Sequence, residues 1–287
     1  MDKTIKILLI CMLSIICIIL GLVMVFLIKN DAGSVNLSSF VNLGIDSNYN
    51  MNVVDSYEAE PESVNKLYMN LKSTDIEIKE STNGKILAEY YSNVDTDFKF
   101  EYKDNTISLD EEKEQENHVF FNSRRKVVMY VPNTYVGEFE LILSSGDTKS
   151  EIDLSNNKVS ISTQSGDISL KSVGESDIKT SSGDIVVDSA NTSKIVTSSG
   201  DIVLNKINKT TSIITSSGDI VINTLNIDEN SNITTSSGDV VIRSNECNCY
   251  IDTETSSGDA KINKSDRKSD IVLKIKTSSG DIVVETI

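Results

Sequence analysis

Thr197-Ser198-Ser199-Gly200-Asp201-Ile202-Val203-Leu204 is one copy of a pattern that fills the second half of the chain. Its centre, Ser-Gly-Asp, occurs eight times after residue 140, and successive glycines are 20, 17, 17, 18, 20, 20 and 22 residues apart. This short, regular period is typical of a solenoid in which each repeat forms one coil. The eight glycines are Gly146, Gly166, Gly183, Gly200, Gly218, Gly238, Gly258 and Gly280.

The residues around each glycine predict which side chains point into the solenoid, because side chains alternate between the two faces of a strand. After the glycine, the second and fourth residues are mostly apolar, as in Ile202 and Leu204. Before it, the fifth residue is apolar in every coil except that of Thr253, and the third is Thr in seven of the eight coils. Since the inward positions are even after the glycine and odd before it, the chain must turn at Gly-Asp.

We expect the glycine and the aspartate to build this corner. Glycine can adopt a positive φ, and the Asp carboxylate can accept hydrogen bonds from nearby backbone N–H groups in an Asx-turn. Each coil then contributes two short strands and a variable polar loop, such as residues 205–210 or 226–232. Strands of successive coils would pair in parallel about 4.8 Å apart. The predicted fold is an all-β, single-stranded parallel β-helix or β-solenoid.

The part of the chain before the repeats is predicted to contain an anchor, a spacer and an atypical β part. Residues 7–28 carry no charge, and 22 residues of helix rise about 33 Å against a hydrocarbon core about 30 Å thick. The predicted segments are a cytoplasmic tail (1–6), a transmembrane signal-anchor (7–28), a spacer with one strand near Val53 and Val54 (29–63), an irregular N-terminal β part or cap (64–140) and the regular repeats (141–287).

The flanks of the apolar stretch predict its orientation. Lys3 and Lys6 precede it, which favours a cytoplasmic N-terminus. No small-x-small cleavage motif follows it, which favours an uncleaved anchor. The predicted location is the cell membrane, with a single span and an extracytoplasmic C-terminal body.

The atypical β part contains a degenerate copy of the repeat. Residues 71–78 keep the Asp and both inward Ile residues, but Thr74 stands where the glycine belongs, as expected of a capping repeat. Further strands are predicted over residues 85–91, 98–102, 106–109 and 126–131. Residues 110–117, Asp-Glu-Glu-Lys-Glu-Gln-Glu-Asn, are predicted to form an exposed acidic loop.

Charge and composition exclude some functions. The formal net charge is −16, and the absence of a basic face argues against a nucleic-acid partner. His118 is the single histidine, so Ser-His-Asp and Cys-His catalysis have no framework. Cys247 and Cys249 are too close for an unstrained disulfide and lack further metal ligands nearby. We therefore expect no enzyme activity and no cofactor.

The stacked corner aspartates are the remaining candidate site. Like charges about 5 Å apart repel each other unless water or a cation screens them. The calcium candidates are Asp184, Asp201, Asp219 and Asp239. A purely structural role in the turn is the favoured interpretation, because one Asp per coil provides few ligands.

The passage Val127-Val128-Met129-Tyr130-Val131-Pro132, followed by residues 139–147 and the serial Ser-Gly-Asp-Ile turns, resembles a bacterial family of candidate adhesins of unknown function. The similarity covers residues 66–287. It implies a single-stranded β-helix on a bacterial surface and, in some relatives, an association with envelope-stress responses. It implies no catalytic residues.

Three functions are compatible with these sequence features. The first is a non-enzymatic, membrane-anchored adhesin or envelope-interaction module that contacts an envelope polymer or protein. The second is a ligand-sensing accessory of an envelope-stress response, and the third, which the short loops disfavour, is a polysaccharide-active enzyme. Because the chain ends six residues after Asp281, we expect its last strand either to dock on the preceding coil or to pair end to end with another copy.

Overall fold

The computed structural model describes residues 51–93, 98–111, 124–244, 248–263 and 265–285. The predicted tail, transmembrane span and most of the predicted spacer lie outside these residues. In the part of the chain that is described, no helix is long and apolar enough to cross a membrane. Residues 50–287 form a compact unit.

The described residues form strands joined by turns, with one short 3-10 helix at Pro61–Ser63. The strands are β1 (Asn52–Ala59), β2 (Lys66–Leu71), β3 (Asp75–Glu80), β4 (Ile86–Ser92), β5 (Glu101–Lys103), β6 (Thr106–Asp110), β7 (Arg125–Val131), β8 (Glu138–Leu143), β9 (Thr148–Ser162), β10 (Ile168–Lys179), β11 (Ile185–Val196), β12 (Ile202–Leu204), β13 (Ile207–Ile214), β14 (Ile220–Ile222), β15 (Ser231–Thr234), β16 (Val240–Arg243), β17 (Tyr250–Glu254), β18 (Ala260–Ile262), β19 (Val272–Lys276) and β20 (Ile282–Glu285).

Parallel pairing between equivalent positions of neighbouring coils confirms the all-β, solenoid-like fold. After the corner, Ile185 pairs with Ile202, and before the next corner Ile195 pairs with Ile213. These inward residues are fully buried. We call the segments that run into a corner inbound strands and those that leave it outbound strands, and their outer surfaces the inbound and outbound faces.

The segments predicted as variable loops form a third side of the solenoid. Ala190, Ile207 and Leu225 point inward there and are at most 1% exposed. Backbone bonds join this side from coil to coil, for example from the Ile207 N–H to the Thr224 carbonyl at 2.9 Å. The cross-section therefore has three buried sides, where the repeat pattern predicted two.

The N-terminal β part closes one end of the solenoid. β3, in the degenerate copy, pairs in parallel with β9 and β7, and β4 and β1 extend this sheet with antiparallel pairs. β1 covers Asn52–Ala59, where the sequence predicted one strand near Val53 and Val54 within the spacer. The strands predicted over 85–91, 106–109 and 126–131 correspond to β4, β6 and β7, whereas the one predicted over 98–102 is a strand only at Glu101–Lys103.

The other end shows an order of coils that differs from the order of the chain. We name each coil by its corner glycine. β20 pairs on one side with β16 and on the other with β18, and β19 lies in the same way between β15 and β17. The Gly280 coil, the last in the sequence, is thus inserted between the Gly238 and Gly258 coils. The expected docking of the last strand occurs, but as an insertion between two coils.

The inward residues explain this order. Thr253 and Ala260 of the Gly258 coil occupy positions where the five coils before it in the sequence and the Gly280 coil carry Ile or Val, and they are partly or fully exposed. The equivalent Ile275 and Ile282 of the Gly280 coil are 0% exposed, because they have a coil on each side. After the Gly258 coil, the chain steps back by one coil along the stack, so the connection from β18 to β19 has the opposite hand to the others. Connections between parallel strands normally keep one hand, and the burial of Ile275 and Ile282 offsets the cost of this exception.

Candidate ligand-binding groove and the corner ladder

The corner glycines are required because neighbouring coils approach closely. Among the described residues, Gly84 is the one glycine with a positive φ, so the predicted positive φ at the corners is wrong. A Cβ at Gly200 would lie 1.9 Å from the carbonyl oxygen of Gly183. The same clash, at 1.9 to 2.3 Å, would occur at Gly146, Gly166, Gly183, Gly200, Gly218, Gly238, Gly258 and Gly280.

The corner aspartates form a hydrogen-bonded ladder between coils. The backbone N–H of Asp201 donates to Oδ1 of Asp184 at 2.9 Å, and the N–H of Asp219 donates to Oδ1 of Asp201 at 2.9 Å. The predicted Asx-turn within one coil is therefore replaced by a bond to the next coil. From one end to the other, the exposed ladder is Asp75, Asp147, Asp167, Asp184, Asp201, Asp219, Asp239, Asp281 and Asp259.

This ladder gives the calcium hypothesis no support. In Asp184, Asp201, Asp219 and Asp239, one carboxylate oxygen already accepts a backbone N–H. Within the described ranges, no three His, Cys, Asp or Glu side chains are grouped so that they could hold a metal ion. The positions of these aspartates are explained by the stacking of the coils.

Of the other singled-out residues, Cys249 alone lies in the described part of the chain. His118 and Cys247 lie outside the described residues, and Cys249 is 0% exposed, within the core cluster.

Sequence reasoning missed a buried carboxylate at the start of the ladder. Glu111 was predicted to lie in an exposed loop, but it is 0% exposed. Its carboxylate accepts hydrogen bonds from the N–H of Lys72 at 2.8 Å and the hydroxyl of Thr74 at 2.8 Å, and it lies 3.7 Å from a guanidinium nitrogen of Arg125. Glu111 therefore caps the stack of corners at Thr74, which occupies the place of the corner glycine in the degenerate copy. Only its contacts, which come from residues far away in the chain, distinguish it from its acidic neighbours.

The inbound face carries a groove with a volume of about 590 Å³. Two rows of outward side chains line it. Each row takes one residue from the inbound strand of each coil, and neighbouring members of a row lie on paired strands. The first row is Glu138, Lys158, Glu175, Thr192, Thr210 and Asn230, and the second is Glu140, Ser160, Asp177, Lys194, Ser212 and Asn232. The sequence shows these residues as the outward half of each strand, but without the register it does not show that they form a groove.

The groove continues into a smaller cavity of about 410 Å³ at one end. The two cavities share Glu138 and Lys158, whose charged groups lie 3.9 Å apart. The smaller cavity has an apolar wall that includes Val64, Tyr135 and the exposed Val136. Burial, with a smaller effect of Glu138, raises the pKa of the Tyr135 hydroxyl, so the wall stays uncharged.

The groove presents polar and charged side chains to a ligand. Carboxylate, ammonium, hydroxyl and amide groups line it, on strands that are fixed by pairing on both sides. A hydrogen bond with Glu140 raises the pKa of the Lys66 ammonium at its edge, so this ammonium stays charged. No His or Cys is among the described residues that line it.

Comparison with known proteins gives one family and several solved structures. A family profile described as Toastrack DUF4097 matches residues 64–285. A candidate adhesin from Parabacteroides merdae is 14% identical, with 81% of this chain and 95% of that chain covered and a TM-score of 0.49. A candidate adhesin from Parabacteroides distasonis is 16% identical, with 83% of this chain and 97% of that chain covered and a TM-score of 0.48. A candidate lipid-binding protein from the same species is 14% identical, with 82% of this chain and 99% of that chain covered and a TM-score of 0.47. No curated protein matches the chain.

Proposed function

The chain belongs to the Toastrack DUF4097 family, and from that premise we propose that it is a non-enzymatic adhesion or envelope-interaction protein that binds an extended polar polymer along its inbound face. The groove carries this proposal. Its polar and charged side chains follow one another at the spacing of parallel strands, about 4.8 Å, so a polymer lying along the stack meets a hydrogen-bonding group of each row in every coil.

Rigidity supports binding by this face. Every groove-lining strand from β9 to β13 is paired on both sides, and the side chains beneath it, such as Ile178 and Ile195, are 0% exposed. A preformed site loses little conformational entropy when it binds a ligand.

We further propose that residues 7–28 anchor the body in the cell membrane, with the solenoid on the outside. The proposal rests on the length and lack of charge of this stretch and on Lys3 and Lys6 before it. An acidic body would also be repelled by anionic headgroups, so that its groove stays available to envelope polymers. Protease accessibility of the solenoid in intact cells, and its loss from the membrane fraction when residues 1–30 are deleted, would test this.

Binding to purified cell-wall polysaccharide and peptidoglycan tests the groove. Residues 50–287 contain a complete core of their own and can be used as a fragment. Ser212→Arg would obstruct the middle of the groove, and the matched control is Ser216→Arg, which adds the same side chain at an exposed corner position. We expect Ser212→Arg to weaken binding by about tenfold or more, and Ser216→Arg to leave it unchanged.

Other outcomes would replace the proposal. Cleavage of either polymer by the wild-type fragment would show an enzyme. Absence of binding, together with loss of an envelope-stress response when the full chain is deleted from cells, would favour the sensing alternative.

A further inference from the structure

The outbound face carries an uninterrupted row of valines. Val186, Val203 and Val221 are direct neighbours on successive strands, and Val241 and Val283 continue the row. All five are partly exposed, and Val186 reaches 37%. We call this row the valine stripe.

The inserted coil is what makes the stripe continuous. Val283 of the Gly280 coil pairs with Val241 on one side and with Lys261 of the Gly258 coil on the other. If the coils followed the order of the chain, Lys261 would interrupt the row. At the opposite end the row stops at Ser169, which pairs with Val186. The stripe therefore has a defined length of five strands and polar ends.

Two polar rows border the stripe. On one side lie the ladder aspartates Asp184, Asp201, Asp219, Asp239 and Asp281. On the other side, the Nδ2 of Asn205 donates to Asp188 and the Nδ2 of Asn223 donates to Asn205, both at 2.7 Å. This second row ends with Arg243 and Glu285, whose charged groups lie 3.5 Å apart. An apolar row framed by polar rows is typical of a contact surface.

We propose that this face binds the same face of a second copy of the chain, with the two-fold axis parallel to the axis of the solenoid. With such an axis, equivalent coils of the two copies lie at the same position along the stack. Each polar row of one copy then lies opposite the other polar row of the second copy. Valine then faces valine. Asp201 and Asp219 face Asn205 and Asn223 of the second copy, and Asp239 faces its Arg243, whereas like charges meet only at Asp184 with Asp188 and at Asp281 with Glu285. An axis perpendicular to the stack would place the two aspartate rows opposite each other, which like-charge repulsion opposes.

The dimensions make this association weak and reversible. Five strands at about 4.8 Å and three rows at about 6.6 Å give a patch of roughly 500 Å² per copy, below the about 800 Å² of a stable interface. The net charge of −16 further opposes the approach of two copies at low ionic strength. Because salt screens this repulsion while apolar contact persists, the dimer forms more readily at high salt.

Sedimentation velocity of the 50–287 fragment over a series of concentrations tests the proposal. We expect a monomer–dimer equilibrium that shifts toward the dimer with concentration and with salt. The triple variant Val203→Thr/Val221→Thr/Val241→Thr keeps β-branched side chains but removes apolar surface, and it should raise the dissociation constant about tenfold or more. Its fold is checked by its far-UV circular dichroism and its unfolding midpoint.

Two control variants separate this interface from other contacts. Val196→Thr/Ile214→Thr makes the same type of change on the inbound face, and Ile262→Thr makes it on the last coil of the stack; neither should change the dissociation constant. A monomer at every concentration and salt level, or equal association by the triple variant and the wild type, would overturn the proposal. Loss of association only with Ile262→Thr would show end-to-end pairing in its place. The stripe and the groove lie on different faces, so each hypothesis can fail without the other.

Discussion

The backbone N–H of Asp281 donates to Oδ1 of Asp239, 42 residues earlier, at 2.8 Å. The backbone N–H of Asp259, the corner aspartate between them in the sequence, donates to Oδ1 of Asp281 at 2.8 Å. The ladder therefore runs 239, 281, 259, so that the last coil of the chain is internal and the coil before it ends the stack. This order buries the apolar residues of the Gly280 coil and leaves the more polar Gly258 coil at the end.

Replacing a corner glycine should destabilise the solenoid strongly. In Gly200→Ala the new Cβ would lie 1.9 Å from the Gly183 carbonyl oxygen, and two paired coils would have to separate to accommodate it. We expect a loss of about 3 kcal/mol in the free energy of unfolding, measured by urea denaturation. The neighbouring Ser199→Ala, at an exposed position, should change it by less than about 0.5 kcal/mol. Equal losses in the two variants would refute the close-approach explanation.

The stability that the aspartate ladder provides should depend more on the oxygen that accepts the backbone N–H than on the negative charge of the carboxylate. Asp201→Ala removes the acceptor of the Asp219 N–H and should lower the free energy of unfolding by about 1–2 kcal/mol. Asp201→Asn keeps a carbonyl oxygen and reduces repulsion between stacked carboxylates, so its loss should be smaller. Thermal unfolding with and without calcium completes the test, since a calcium-dependent rise in the wild type that Asp201→Asn abolishes would contradict a purely structural ladder.

Glu111 should be important for the N-terminal end of the solenoid. Glu111→Ala would leave the Thr74 hydroxyl, the Lys72 N–H and the Arg125 guanidinium without this acceptor. Loss of one partner of a buried charged network costs about 3–5 kcal/mol. Glu111→Gln retains one acceptor and should lose less. The exposed Glu62→Ala serves as the control, and a Glu111→Ala midpoint equal to that of the control would contradict the buried network.

The polar inward residues of the Gly258 coil should limit growth of the stack at that end. Thr253→Ile/Ala260→Ile would give this coil the apolar pattern of an internal one, and its open strand edges could then recruit another copy. We expect this variant to form larger species in light scattering that persist when the valine stripe is also replaced by threonine. A variant that scatters like the wild type would show that these two residues do not protect the end.

The repeat, the corner and the two rows of inward residues beside it were predictable because they recur at fixed distances from a glycine. Ala190, Ile207 and Leu225 were missed because the loops between corners vary in length, so that the third side has no fixed position relative to the motif. The reason for the glycine was also misjudged. A positive φ concerns the glycine alone. The close approach involves a second coil, because a Cβ at Gly200 would lie 1.9 Å from the carbonyl oxygen of Gly183, 17 residues earlier.

The candidate site was less predictable than the fold. Ser160, Asp177 and Lys194 form a row only because their strands pair in register, and polar outward residues look the same in the sequence whether or not they line a groove. The order of the last coils did leave a signal. Thr253 is the one polar residue at its position in the repeat, as expected of a coil that has a neighbour on only one side.

Cysteine cross-linking tests the coil order most directly. In the 50–287 fragment with Cys247 and Cys249 replaced by serine and alanine, Val241→Cys/Val283→Cys places two thiols on adjacent strands, about 4.8 Å apart, within reach of a disulfide. Val241→Cys/Lys261→Cys places them two strands apart, about 10 Å. The inserted order predicts a disulfide under mild oxidation in the first variant only, and a disulfide in the second variant only would contradict it.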